Sequence, residues 1–290
     1  MSYCMSIRAK RSPRVAEILK ALGAPELRCV ERPKVFPADQ PLPTGTGRYY
    51  RAGQSTRGVM LTSNPGIARV RMFTLSSLND WELGFQLLRA LAADPAAHVE
   101  GQDGTVSTLS DMRERFLEVL HRETANDFRD IQKQLREHPE TVVSLDGTVR
   151  EVFIGPRQLA ELSTGTTDGV TALIERIRRI QYIEREGFEV VRSMKLPVAP
   201  GRLVSRWTPE KAQAFEATDY VVLEQPWRNS IVCVPVPGLP ELVGSRFQWL
   251  DERQFTLQAI PESERADLHE RAMARVTVYH PRKRWWQFWR

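Results

Sequence analysis

Three arginines gather beside a glycine-rich run. Arg48, Arg51 and Arg57 follow the stretch Thr44, Gly45, Thr46, Gly47. Guanidinium forks and loop N–H groups together suit a phosphate. One expectation is therefore an enzyme acting on a phosphate-bearing substrate through this Arg-rich loop. The run is not a P-loop, since no Gly-Lys-Ser/Thr follows and no helix opens there. Residues 163–169 also precede a helix, where anions are attracted. Asp168 at that cap disfavours an anion and serves as the cap itself.

Other chemistry-bearing residues are scattered. His98, His121, His138, His269 and His280 show no metal-ligand spacing. Cys4, Cys29 and Cys233 lie far apart without a Cys-x-x-Cys, which reads as isolated reduced thiols. There is no Gly-x-Ser-x-Gly elbow. No catalytic residue, metal or cofactor is expected from these patterns.

The C-terminal end has its own chemistry. Trp285, Trp286, Phe288 and Trp289 stand among Lys283, Arg284 and Arg290. Aromatics beside cations suit a membrane interface or base stacking on single-stranded nucleic acid. The plainer reading is a structural tail whose rings dock on an apolar groove while its charges stay in water.

Charge is unevenly spread. With +7 over residues 1–58 and +4 over 281–290, the total of +5 leaves −6 for the stretch between. Segregated charge of this kind implies distinct surfaces, among them an acidic one able to meet a basic partner. Arginine outnumbers lysine 34 to 7. A nucleic-acid binder would gain from that, but a genome favouring Arg codons produces the same bias.

The elements that would position these residues are legible in outline. Asp146-Gly147 between apolar runs predicts a hairpin, 141–145 with 148–154, joined by a type I′ turn. Residues 6–9, a helix opened by Ser12 and Pro13, and residues 27–31 predict a βαβ-type opening, followed by a loop over 32–47. Asn64, Pro65 and Gly66 separate two alternating runs, 57–62 and 68–75, as a second hairpin. Asn79 and Glu82 resemble a capping box for a helix carrying Trp81, Phe85 and Leu88 inward. A long helix is expected from Ser110 to Glu137 with a break near Thr124–Asn126. The clearest amphipathic helix runs from Val170 to about Glu184. Thr208, Pro209 and Glu210 predict a short helix to Phe215. Strands follow at 220–223, 231–234, 247–250 and 255–260, then a helix over 261–274 and a last strand at 276–279.

The fold expected is α+β, mostly antiparallel hairpins with helices packed on the sheet. Two similar-sized lobes are expected: 1–139, then 140–280 opening with the hairpin, then the basic aromatic tail 281–290. No run is long and apolar enough for a membrane span, and the N-terminus lacks a signal-peptide core. The leading functional expectation is a non-enzymatic, cytoplasmic protein-binding protein, in the style of a bacterial immunity or accessory protein that occludes a toxin or effector. The phosphate enzyme through Arg48, Arg51 and Arg57 is one alternative. A peripheral membrane or nucleic-acid module using the tail is another.

Overall fold

The computed structural model describes residues 2–8, 14–22, 27–30, 39–41, 44–64, 66–92, 98–163, 168–195, 202–225, 230–275 and 278–279. The architecture is α+β, with many antiparallel strands and helices packed against them. The chain divides into two compact units, Met1–Tyr182 and Ile183–Arg290.

The first unit is built on an antiparallel sheet. Its strands are β1 (Ser2–Ile7), β2 (Arg28–Cys29), β3 (Gly45–Tyr50), β4 (Val59–Asn64), β5 (Ile67–Phe73), β6 (His98–Gly101) and β7 (Val106–Thr108). Their order across the sheet is β2-β3-β4-β5-β1-β6-β7. The strands alternate strictly: Ala68, Val70 and Met72 are buried while Ile67, Arg69 and Arg71 are exposed. Such alternation marks a sheet with one covered face and one open face. The covered face carries Met5, Ile7, Val59, Leu61, Val70, Met72 and Val99. Against it pack α1 (Val15–Leu22), α2 (Leu78–Leu91) and the first half of α3 (Leu109–Glu137). Gly84 permits a close approach of α2 to β5, since a Cβ there would lie 2.5 Å from the Met72 sulfur.

Several expectations are corrected here. The opening is not a βαβ unit: β1 pairs antiparallel with β5 and β6, and β2 pairs antiparallel with β3. The Thr-Gly-Thr-Gly run, expected as a loop, is largely strand. Gly45 to Tyr49 are paired with β4, Gly47 opposite Leu61. A Cβ on Gly47 would press on the Cys29 sulfur at 3.2 Å, so glycine serves packing in a strand. The cap of α2 is Ser77, which accepts from the Asp80 N–H, and not Asn79. Helix α3 runs unbroken, because Thr124 turns its hydroxyl outward from the helix to accept from the Leu75 N–H.

The hairpin β8 (Val143–Asp146) and β9 (Glu151–Ile154) exists, but it is a two-stranded sheet of its own. Asp146 pairs with Glu151, so residues 147–150 form the connection and there is no two-residue turn. Gly147 is not among the positive-φ glycines. It is glycine for space: a Cβ would collide with the Arg150 carbonyl and the Gln181 side chain. Helix α4 (Pro156–Ser163) and helix α5 (Gly169–Gln181), capped by Asp168, complete the unit. Helix α5 stops at Gln181 and passes into a 3-10 turn, Ile183–Glu186.

The boundary falls after Tyr182, whereas the sequence suggests one near residue 140. The reason is local bonding. The Thr148 N–H donates to the Thr56 carbonyl at 3.0 Å. Gln181 Oε1 accepts from the Val149 and Arg150 N–H groups at 2.7 and 2.8 Å. The hairpin is thus stitched to the sheet loop and to α5, all within the first unit.

The second unit holds β10 (Glu189–Val191), β11 (Met194–Lys195), β12 (Leu203–Trp207), β13 (Gln213–Phe215), β14 (Tyr220–Gln225), β15 (Ser230–Pro235), β16 (Phe247–Trp249), β17 (Phe255–Leu257) and β18 (Val278–Tyr279). They form a four-stranded sheet, β10-β13-β17-β16, and a five-stranded one, β11-β12-β14-β15-β18. Two pairs are parallel, β10 with β13 and β12 with β14. Helices α6 (Leu239–Val243) and α7 (Glu262–Arg275) share a core with Trp207, Phe215, Val232 and Phe255. The helix expected at 208–215 is absent. Gln213–Phe215 is a strand held between β10 and β17, and this pairing overrides the cap-and-proline signal of Thr208 and Pro209.

Among the described residues, no helix is long and apolar enough to cross a membrane. The tail residues Lys283, Arg284, Trp285, Trp286, Phe288 and Trp289 lie outside the described residues.

Candidate functional site

Two polar arrangements stand out in the first unit, one buried and one open. The buried one begins at the loop after β3, where Arg51 to Gly58 lead into β4. Asp80, on the first turn of α2, is fully buried. Its Oδ2 accepts from the Thr56 N–H at 2.8 Å, the Thr56 hydroxyl at 2.8 Å, the Arg57 N–H at 3.1 Å and the Ser77 hydroxyl at 3.2 Å. A carboxylate at a helix N-terminus is further favoured by the helix dipole.

Arg57 lies in the same network. Its Nε donates to the Asp146 carbonyl at 3.2 Å and its Nη1 to the Thr74 carbonyl at 2.9 Å. The guanidinium sits over the Phe73 ring, 4.9 Å from its centre. Burial pushes its pKa below the ordinary arginine value, and the Asp146 charge works against that shift. Next to it, the Thr74 hydroxyl donates to Asp127. Leu75 is held at φ +53°, the only non-glycine positive φ among the described residues. A bulky residue resists that region, and the Thr124 bond and burial on either side hold it there.

This arrangement is a latch. It joins the β3–β4 loop, the β5–α2 link, α3 and the β8–β9 hairpin through bonds made largely to backbone groups. Arg51 also belongs to the interior: its Nη2 donates to Gln86, and burial lowers its pKa. Tyr182 closes the edge, donating to the Arg51 carbonyl at 3.2 Å, and burial raises its pKa above the usual tyrosine value.

The predicted trio is therefore separated by role. Arg51 and Arg57 belong to the latch. Arg48 lies on β3, on the open sheet face, near enough to Arg57 for the two charges to repel, and strand register sets it in line with Met60, Arg71 and Cys4. A parallel row contains Thr46, Thr62, Arg69, Ser6 and Glu100.

Arg69 and Arg71 are exposed and lie across the strands. The Arg69 Nε donates to the Ser6 hydroxyl at 3.3 Å, and the Arg71 Nε donates to the Cys4 sulfur at 3.2 Å. Thr46 and Thr62 share a hydroxyl bond of 2.9 Å. Neither Arg69 nor Arg71 has a carboxylate partner among the described residues. Sequence reasoning missed both arginines, although the signal was present: arginine at alternate positions of a strand whose other positions are Ala68, Val70 and Met72.

The remaining candidates play supporting parts. His121 packs edge-on against Trp81 at 5.0 Å. Cys4, Cys29 and Cys233 are in no disulfide among the described residues. Among the described residues no three His, Cys, Asp or Glu side chains converge to hold a metal ion.

The site and the fold thus define an α+β protein whose first unit pairs an internal latch with an open, arginine-bearing sheet face. The chain belongs to the DUF4299 family, a domain of unknown function, whose model matches residues 2–185. That span coincides closely with the first unit, Met1–Tyr182. Comparison with curated proteins and with solved structures finds no match.

Proposed function

We propose that the protein is a non-enzymatic, cytoplasmic binding protein that acts by surface complementarity to another protein. One observation carries this reading. Asp80 and Arg57 are committed largely to backbone groups and the Thr56 and Ser77 hydroxyls to Asp80, whereas Arg69 and Arg71 stand exposed and, among the described residues, donate to Ser6 and Cys4. The chemistry that faces solvent on this sheet is recognition chemistry. A bacterial immunity or accessory protein that occludes an effector works in this manner.

The test is isolation of partners from the native host on the tagged full chain, followed by reconstitution with each purified partner. A partner that forms a stable complex in reconstitution is the expected result. Failure of every candidate, together with thermal stabilisation by a nucleotide or sugar phosphate, would overturn the reading. Such a ligand at 100 times its dissociation constant would stabilise the fold by about 2.7 kcal/mol.

A further inference from the structure

We propose that the open face of the seven-stranded sheet binds an extended acidic segment of a partner protein, with Arg69 and Arg71 reading its carboxylates. This rests on the protein-binding reading above and names the surface and the partner chemistry.

The face is set by register. Arg69 and Arg71 are two residues apart on β5, about 6.8 Å along the strand. Arg48 faces Arg71 across β4, about 9.6 Å away. An extended chain carrying acids at alternate positions repeats at that same ~6.8 Å. Its carboxylates can therefore meet Arg69 and Arg71 together, with forked hydrogen bonds from each guanidinium.

Between the charges lie less polar positions. Met60 separates Arg48 from Arg71, and Ile67, at the start of β5, is 42% exposed. The mosaic of basic, hydroxyl and apolar groups suits a polypeptide with mixed side chains. A nucleic acid fits less well. Binding of single strands relies on aromatic platforms. Phe73, on this face, is capped by Arg57, and Tyr50 is buried.

The test uses the full chain and short labelled peptides followed by fluorescence anisotropy. One peptide alternates Glu and Thr; a second has the same composition in two blocks. The variants are R69Q/R71Q, the charge-keeping R69K/R71K, and a control, R122Q/R129Q. The control removes two exposed arginines from α3 and changes net charge equally. The wild type should bind the alternating peptide better than the block peptide, and more weakly as salt rises above ~0.15 M.

R69Q/R71Q should lose about fivefold or more in affinity, R69K/R71K should fall between, and R122Q/R129Q should match the wild type. These exposed substitutions should leave melting unchanged, and a misfolded glutamine pair would pass the decision to the lysine pair. Equal binding by R69Q/R71Q and wild type would overturn the proposal, as would equal loss in the α3 control or no preference for alternation. A short oligothymidylate that binds more tightly than the peptide, and is lost in R69Q/R71Q, would overturn it in favour of nucleic acid. A reconstituted host partner that binds wild type and R69Q/R71Q equally would leave the protein-binding reading standing and remove this face from it.

Discussion

Replacing Asp80 by alanine tests the latch most directly. The substitution removes the acceptor for two backbone N–H groups, those of Thr56 and Arg57, and for two hydroxyls. Thr56 and Asp80 are fully buried, so water cannot take over cheaply. A buried donor left unsatisfied costs about 1–3 kcal/mol, and the two N–H groups together set the expectation at roughly 2–6 kcal/mol. The hydroxyls can rotate to other acceptors and add less.

Asp80→Asn separates the acceptor from the charge. Its amide oxygen can occupy the Oδ2 position and keep the four donors paired. Its NH2 then lies where Oδ1 has no hydrogen-bond partner. The cost is the difference between a charged and a neutral acceptor, about 1 kcal/mol, together with about 1–3 kcal/mol for the buried NH2 left without an acceptor. Chemical denaturation gives the stability ranking, and hydrogen exchange locates it. Exchange at the Thr56 and Arg57 amides should speed up by at least about tenfold in D80A, each 1.4 kcal/mol being a factor of ten. The rise in D80N should be smaller. If both amides exchange in D80A as in the wild type, the carboxylate does not hold the loop and the latch is wrongly assigned.

Further predictions follow from the same geometry. Gly147→Ala should destabilise the fold by about 1–3 kcal/mol through overpacking against the Arg150 carbonyl and Gln181. An unchanged melting temperature would mean that the hairpin connection yields freely. Arg57→Lys keeps the charge but has no fork to reach both the Asp146 and Thr74 carbonyls. It should cost about 1–3 kcal/mol, and wild-type stability in denaturant would show that one of the two bonds is dispensable. Tyr182 should ionise above the ordinary tyrosine value of 10.0, because burial disfavours its phenolate. A folded-state pKa raised in this way contributes stability that is complete below pH 10 and lost as pH climbs through the folded value. Comparing the ultraviolet phenolate titration of wild type with that of Y182F isolates this group, and a difference centred at or below 10 would contradict its burial.

Local signals carried much of the fold. Alternation over 57–62 and 68–75 around Gly66 marked β4 and β5, and the spacing of Leu173, Ile177 and Ile180 marked α5 with its Asp168 cap. Those patterns are written in neighbouring residues, because period-2 and period-3.6 burial follow from backbone geometry alone. By the same logic Asp146-Gly147 signalled a hairpin correctly. Only the tertiary structure showed that Gly147 answers to Gln181, thirty-four residues away, and not to the dihedral demand of a tight turn.

The arginines make the same distinction. Side-chain chemistry and proximity in sequence put Arg48, Arg51 and Arg57 into one group. Strand β3 then sends Arg48 to the open face, while the loop that follows carries Arg57 down to the Thr74 and Asp146 carbonyls. The open face needed more still. Arg48 on β3 and Arg69 and Arg71 on β5 flank β4, and Ser6 and Cys4 join them from β1, more than sixty residues away in sequence from β5. Sequence alone determined that each strand would have a buried and an exposed side. Which exposed sides would join into one surface was decided by pairing between distant segments, because backbone hydrogen bonds between strands are indifferent to separation along the chain.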